Sequence, residues 1–180
     1  GAGTGATVGT FLGSRYAMKG GIGTASERIG EGIVVGALVA VNATGDVVDP
    51  QTGQIVAGAF DRQRRCFLNI AARIKEQPPS PPSAFGNTTI GVVATNAPLS
   101  KEEVNKVAQM AHNGYALAIR PAHTMRDGDT IFALSYPASA TQPVEVSIIG
   151  SVAAEVMARA VVRAVSKATS LHGVPACTGR

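Results

Sequence analysis

Thr88 stands where this 180-residue chain changes character. A proline-rich segment, PPSPPSAFGN from Pro78 to Asn87, runs directly into the β-type sequence Thr88-Thr-Ile-Gly-Val-Val-Ala-Thr95. Proline-rich stretches act as exposed spacers, and a short apolar run bounded by such a segment reads as a buried strand. A hydroxyl at that junction suits an N-terminal nucleophile. The flexible segment leaves after a cut, and the strand holds the hydroxyl. An ordinary strand start has the same local pattern, so the residues alone leave both readings open.

Other groups suggest other chemistry, and each has a plainer reading. His123-x-x-x-Asp127-x-Asp129 offers three potential ligands within seven residues, with His112 and His172 elsewhere. No second histidine follows at helical spacing and Gly128 separates the aspartates, so a polar loop fits better than a zinc helix. The glycine runs GAGTG and KGGIGTAS lack the strand–loop–helix context of a phosphate loop, and Lys19 precedes its glycines instead of following them. They read as tight turns and close packing. No GxSxG elbow marks a serine triad. Cys66 and Cys177 form no CxxC pair or ligand spacing and read as reduced thiols of a cytoplasmic protein. No cofactor and no metal is expected.

The composition is 45% hydrophobic and 16% charged, so the chain should fold as one domain. The net charge of +4 comes with only 4% aromatics and no basic stripe, which argues against nucleic acid. No apolar run reaches the roughly 20 residues of a membrane span.

The elements around Thr88 follow from periodicity. Ile33 to Val41 is nearly continuously apolar and reads as a strand buried on both faces, ending at Asn42. Val47-Val48 should pair back on it as a hairpin after the Gly45-Asp46 turn. Phe67, Ile70, Ala71 and Ile74 recur at helical spacing and predict a helix over Phe60 to Glu76, stopped before Pro78. Ser100 and Glu103 form a capping box for a second helix, with Val104, Val107, Ala108, Ala111 and Tyr115 as its apolar face. Ile131 to Ser135 and Val144 to Ile149 read as strands. A last helix runs from Ser151 to Thr169, with Glu155, Arg159, Arg163 and Lys167 on its wet face. Strands interspersed with helices imply a layered α/β or α+β sandwich.

Several pieces together resemble one family. GNTTI, VATNAPL, MAHNG and HTxxDGDTIFAL lie in order from Gly86 onward, and GAGTGATVG, MKGGIGTAS and VVGALVAVNATGDVVDPQTG lie upstream. They are similar to the self-processing DmpA-like aminopeptidases and nylon-oligomer hydrolases. The resemblance covers nearly the whole chain. It implies a four-layer α/β/β/α sandwich, also found in ornithine acetyltransferases, as a single catalytic domain over residues 1–180. It implies self-cleavage between Asn87 and Thr88, giving parts 1–87 and 88–180. The freed amine, with a reference pKa of about 8, then takes the Thr88 hydroxyl proton near neutral pH. By the same resemblance Asn42 donates to the oxyanion, and Asp127 and Asp129 orient and polarise the Thr88 ammonium and hydroxyl.

The chain departs from that pattern in two ways. Thr10 stands where the nylon-oligomer enzymes have a catalytic lysine, which makes Lys19 the nearest replacement. The family's roughly hundred further N-terminal residues are not in this sequence, so association with that region is expected. The resemblance implies a homo-oligomer acting on short peptides, amino-acid amides or aminohexanoate oligomers. Ornithine-acetyltransferase-like acyl transfer is the alternative chemistry, and an inactive fragment the alternative to any chemistry.

Overall fold

The computed structural model describes residues 2–30, 32–76, 86–137 and 143–179. Its centre is a four-stranded sheet in the order β11 (Thr130–Ser135), β9 (Ile90–Thr95), β4 (Ile33–Val41), β3 (Gly21–Ile29). Strands β1 (Thr7–Val8) and β2 (Met18–Lys19) form a small pair beside it, before β3 (Gly21–Ile29) and β4 (Ile33–Val41). A separate three-stranded sheet joins β5 (Asp46–Val48), β6 (Ile55–Ala57) and β10 (Ile119–Arg120). Strands β7 (Phe60–Asp61) and β8 (Cys66–Phe67) form a hairpin ahead of the short helix α1 (Ile70–Arg73). The central sheet is completed by β9 (Ile90–Thr95) and β11 (Thr130–Ser135). Two long helices, α2 (Lys101–Ala118) and α3 (Val146–Ser166), pack on one another and on the sheet.

The chain is a mixed α/β protein, as its sequence implies. The described residues contribute a sheet layer and a helical layer. Strand β4 therefore alternates. Val35, Val39 and Val41 are fully buried under the helices, whereas Val34 and Leu38 are exposed on the other face. Ile22, Ile90, Phe132 and Leu134 lie exposed with them, in register across the sheet. The expected burial of Ile33–Val41 on both faces is thus replaced by burial on one, because no described element covers the second.

Close packing under the sheet depends on missing side chains. A Cβ at Gly23 would meet the backbone of Ala160 and Ala164 in α3, so β3 and α3 approach only because residue 23 is glycine.

The helix predicted over Phe60–Glu76 is largely absent. Asp61 Oδ1 accepts the amides of Gln63 and Arg64 at 2.9 and 3.0 Å, closing a side-chain-mediated turn. Arg65 then takes φ 53°, and the chain reverses into a hairpin. Helix begins only at Ile70, capped by Asn69. The predicted strand Val144–Ile149 is instead mostly the first turn of α3. Ile149 lies fully buried on the same stripe as Ala153, Val156, Met157 and Ala160, and that stripe outweighs the local β-branched composition. Val47-Val48 pairs with β6 and β10, not back on β4. The capping box holds, with Ser100 and Glu103 bonded reciprocally. Arg159 pairs with Glu27 of β3 at 2.7 Å, not with Glu155 along its own helix. Most of the proline-rich segment, residues 78–85, lies outside the described residues.

Candidate active site

The Asn87–Thr88 peptide sits where the end of β4, the start of β9 and the loop before β11 meet. Beyond Val41 the chain turns away at Asn42, whose carbonyl oxygen accepts the Thr88 amide N–H at 2.9 Å. On the other side Asn87 forms an isolated parallel bridge with Asp127. The Asn87 N–H donates to the Arg126 carbonyl at 2.6 Å, and its own carbonyl accepts from the Gly128 N–H at 2.8 Å. Thr10 Oγ1 donates to Asn87 Oδ1 at 3.0 Å. The peptide ahead of Thr88 is thus held by hydrogen bonds on both sides, and the half-buried Thr88 leads into a central strand.

Asn42 lies at the end of β4, as the sequence predicts, and its carbonyl brings it beside Thr88. Its Oδ1 accepts the Thr7 N–H at 3.0 Å. A backbone N–H only donates, so this contact fixes the amide's orientation. Nδ2 is left without a protein acceptor among the described residues. Asn42 lines a cleft of about 510 Å³ together with Thr7, Thr10, Phe11, Asn87 and Arg126. Arg126 is fixed there by stacking on Phe11, with its guanidinium carbon 4.3 Å from the ring centre. A larger hollow of about 660 Å³ lies among Arg15, Asp61, Arg62, Arg64 and Arg73 and shares no lining residue with this cleft. Its size does not make it the site, because none of the groups around Thr88 reaches it.

The two aspartates brace the site. Asp127 Oδ1 accepts from Thr44 N and Oγ1 at 3.0 and 2.8 Å, and its Oδ2 accepts from Thr124 N and Oγ1 at 3.3 and 2.5 Å. It therefore ties the loop after β4 to the loop before β11. Asp129 Oδ1 accepts from Thr89 N at 3.0 Å, while Oδ2 faces the His123 N–H at 3.2 Å and Nδ1 at 3.0 Å. Among the described residues, neither carboxylate accepts a hydrogen bond from the Thr88 nitrogen or hydroxyl. Lys19 is buried, and its Nζ donates to the carbonyls of Thr4 and Ala6 at 2.6 and 3.0 Å. Its described bonds hold the glycine-rich start in place, not Thr88.

Behind Asp129 stands an aromatic cluster. The His112 and His123 rings are 5.2 Å apart, and Tyr115 contacts both. Burial, reinforced by the nearby His123, pulls the His112 pKa below the ordinary histidine value, against the opposing pull of Asp129. Burial and then the Asp129 charge push the Tyr115 hydroxyl upward. Sequence reasoning did not single out Thr10, Thr44, Thr124 or His123 as bracing residues. Only Thr124, three residues before Asp127, carries a local signal, the spacing of a hydroxyl–carboxylate turn.

The description of peptidase family S58 matches residues 1–178. The chain belongs to this family. Among S58 relatives, an uncharacterised aminopeptidase of Mycobacterium tuberculosis is 42% identical over 189 residues, covering 94% of this chain and 54% of that protein. A 6-aminohexanoate-oligomer endohydrolase of Paenarthrobacter ureafaciens is 34% identical over 178 residues, covering 91% of this chain and 49% of that enzyme. The PH0078 protein of Pyrococcus horikoshii OT3 superposes with a TM-score of 0.63 at 25% identity, over 96% of this chain and 45% of its own. The L-aminopeptidase D-Ala-esterase/amidase of Ochrobactrum anthropi, described as a variant of the Ntn hydrolase fold, superposes with a TM-score of 0.61 at 23% identity, over 92% and 43%. The chain spans about half the length of the curated S58 relatives it matches.

Proposed function

We propose that this S58 chain carries the nucleophile of a self-processing N-terminal-threonine amidohydrolase. A cut after Asn87 gives parts 1–87 and 88–180 and frees the amine of Thr88. The observation that carries this reading is the grip on the Asn87–Thr88 peptide, with Asn42 on one side, Arg126 and Gly128 on the other, and Thr88 leading into the sheet.

In the cut chain, one hydrogen of the Thr88 amine stays donated to the Asn42 carbonyl. The nitrogen lone pair is then free to take the proton of the same residue's hydroxyl, so no histidine is needed. The oxygen attacks the substrate carbonyl, and Asn42 Nδ2 donates to the oxyanion. Losing one such donor typically costs about 3–4 kcal/mol of transition-state stabilisation. An acyl-threonine forms, the amine product departs, and water releases the acyl group. Asp127 and Asp129 act as positioning residues, one tying two loops together and the other holding the Thr89 amide.

Relatives named as aminopeptidases, 40–42% identical, support short peptides or amino-acid amides as substrates, with loss of the N-terminal residue. The 34% identity to an aminohexanoate-oligomer hydrolase supports a second reading, hydrolysis of non-natural amides. Denaturing mass spectrometry and amide hydrolysis assays on the full-length protein test both steps. Wild type should yield a fragment beginning at Thr88. Thr88→Ala should abolish cutting and hydrolysis, and Thr88→Ser should keep part of each, since the hydroxyl survives and the methyl that restricts its rotamer is lost. An uncut, fully active Thr88→Ala variant would rule out the mechanism.

A further inference from the structure

Gly128 touches both groups that react in the proposed cut. Its N–H donates to the Asn87 carbonyl at 2.8 Å. A Cβ on residue 128 would stand only 2.9 Å from Thr88 Oγ1. Its φ lies outside the left-handed region, so neither turn geometry nor backbone strain explains why the residue is glycine. We infer that Gly128 is a catalytic residue of self-cleavage: its amide stabilises the oxyanion on Asn87, and its bare α-carbon leaves the space in which the Thr88 hydroxyl attacks. The inference rests on reading Thr88 as the self-cleaving nucleophile.

The step is an N-to-O acyl shift. Thr88 Oγ1 bonds to the Asn87 carbonyl carbon, and the π pair moves to the carbonyl oxygen, where the Gly128 N–H already points. The carbonyl re-forms as the C–N bond breaks. That bonding pair stays on the Thr88 nitrogen, which takes up the proton lost by the hydroxyl. Water then opens the ester to the Asn87 carboxylic acid and a restored Thr88 hydroxyl. The donor is in place before charge develops, which is the condition under which such a hydrogen bond accelerates a reaction. Substrate hydrolysis has a different donor, Asn42 Nδ2, so the two reactions of one nucleophile use separate oxyanion sites.

The test follows conversion of newly made full-length chain into two fragments. Wild type, Gly128→Ala and Thr88→Ala are compared with and without hydroxylamine, which intercepts the ester. Gly128→Ala should cut about 100-fold more slowly, because its methyl moves either the hydroxyl or the amide. Hydroxylamine should not restore the rate, since the block precedes the ester. Cutting at the wild-type rate, or full rescue by hydroxylamine, overturns the inference. Hydrogen exchange on uncut Thr88→Ala provides a readout without substitution at residue 128. The Gly128 amide should be protected there, and unprotected exchange removes it as the donor. A wild type that never cuts at Asn87–Thr88 fails at the underlying nucleophile reading, a result distinct from all of these.

Discussion

Replacing Asp127 by asparagine separates a brace from a turn residue. The carboxylate accepts four hydrogen bonds, two from Thr44 and two from Thr124. An amide has one acceptor. Its oxygen is best used toward Thr44, where both contacts are 3.0 Å or shorter. The amide nitrogen then faces Thr124. The Thr124 hydroxyl can rotate to accept from it, but the Thr124 N–H loses its acceptor. An orphaned N–H costs about 1–3 kcal/mol, and the low end applies because this bond is 3.3 Å long and part-buried. The surviving bonds lose the charge that makes them roughly twice as strong as neutral ones. The total is about 2–3 kcal/mol, which lowers the melting temperature of a chain this size by about 5–10 °C. The melts belong in a Thr88→Ala background, so that both proteins are uncut, with circular dichroism as the signal. Self-cleavage of the single Asp127→Asn variant should slow as well, because the two braced loops carry the groups that hold the Asn87–Thr88 peptide. A melting temperature within about 1 °C of the reference, with cutting unchanged, would refute the idea that this carboxylate joins the loops.

Three further outcomes follow from the core. Burial lifts the Asp46 carboxyl from 3.8 to about 6, against the lowering effect of the Ile70 and Ala59 amides. The folded state therefore holds this proton more tightly than the unfolded one. Stability from this group is complete below about pH 4 and is lost as pH rises toward 6, by at most about 3 kcal/mol. Urea midpoints from pH 4 to 7 should show that decline in the reference and not in Asp46→Asn, and parallel curves would count against it. Thr89 Oγ1 is fully buried and has no hydrogen-bond partner among the described residues. Thr89→Val should therefore leave stability unchanged or raise it by about 1 kcal/mol, and a loss above that in denaturant melts would reveal a missed partner. Gly23→Ala should destabilise by about 3 kcal/mol or prevent folding, because its methyl meets the backbone of α3; an unchanged melt would show that the helix yields.

The sequence was most legible where a signal was local and strong. The Ser100–Glu103 box, the apolar face of α2 and the wet positions of α3 all stand where periodicity put them. The strand ending at Asn42 does too, whereas the place of Asn42 beside Thr88 is implied only by the family resemblance and not by periodicity. Local side-chain turns and tertiary geometry decided the rest. Arginine-rich Phe60–Glu76 has a helical apolar spacing, yet the Asp61 carboxylate bonds the next amides and turns the chain back. Val144–Ile149 has strand composition, but its buried stripe continues that of α3. At the site, the role of Asp127 depends on Thr44, 83 residues away, and that of Thr10 on Asn87, 77 residues away. No pattern within one segment encodes such pairs. The same holds for Lys19, whose partners are backbone carbonyls.

The strand order β11-β9-β4-β3 has a consequence for a chain severed before Thr88. Strands β9 and β11 then belong to one polypeptide and β4 and β3 to the other, joined by the ladder from Val35–Thr95 to Ala40–Ile90. Helix α3 of the later piece also lies across β3 and β4 of the earlier one. The nick would leave the particle's size unchanged in native solution and become visible only in denaturant. Unfolding would change from a unimolecular to a dissociative process, with a midpoint that rises with protein concentration. Refolding would need two pieces to meet instead of one chain to collapse. The molecule would keep its shape after the cut but lose its unimolecular route back to it.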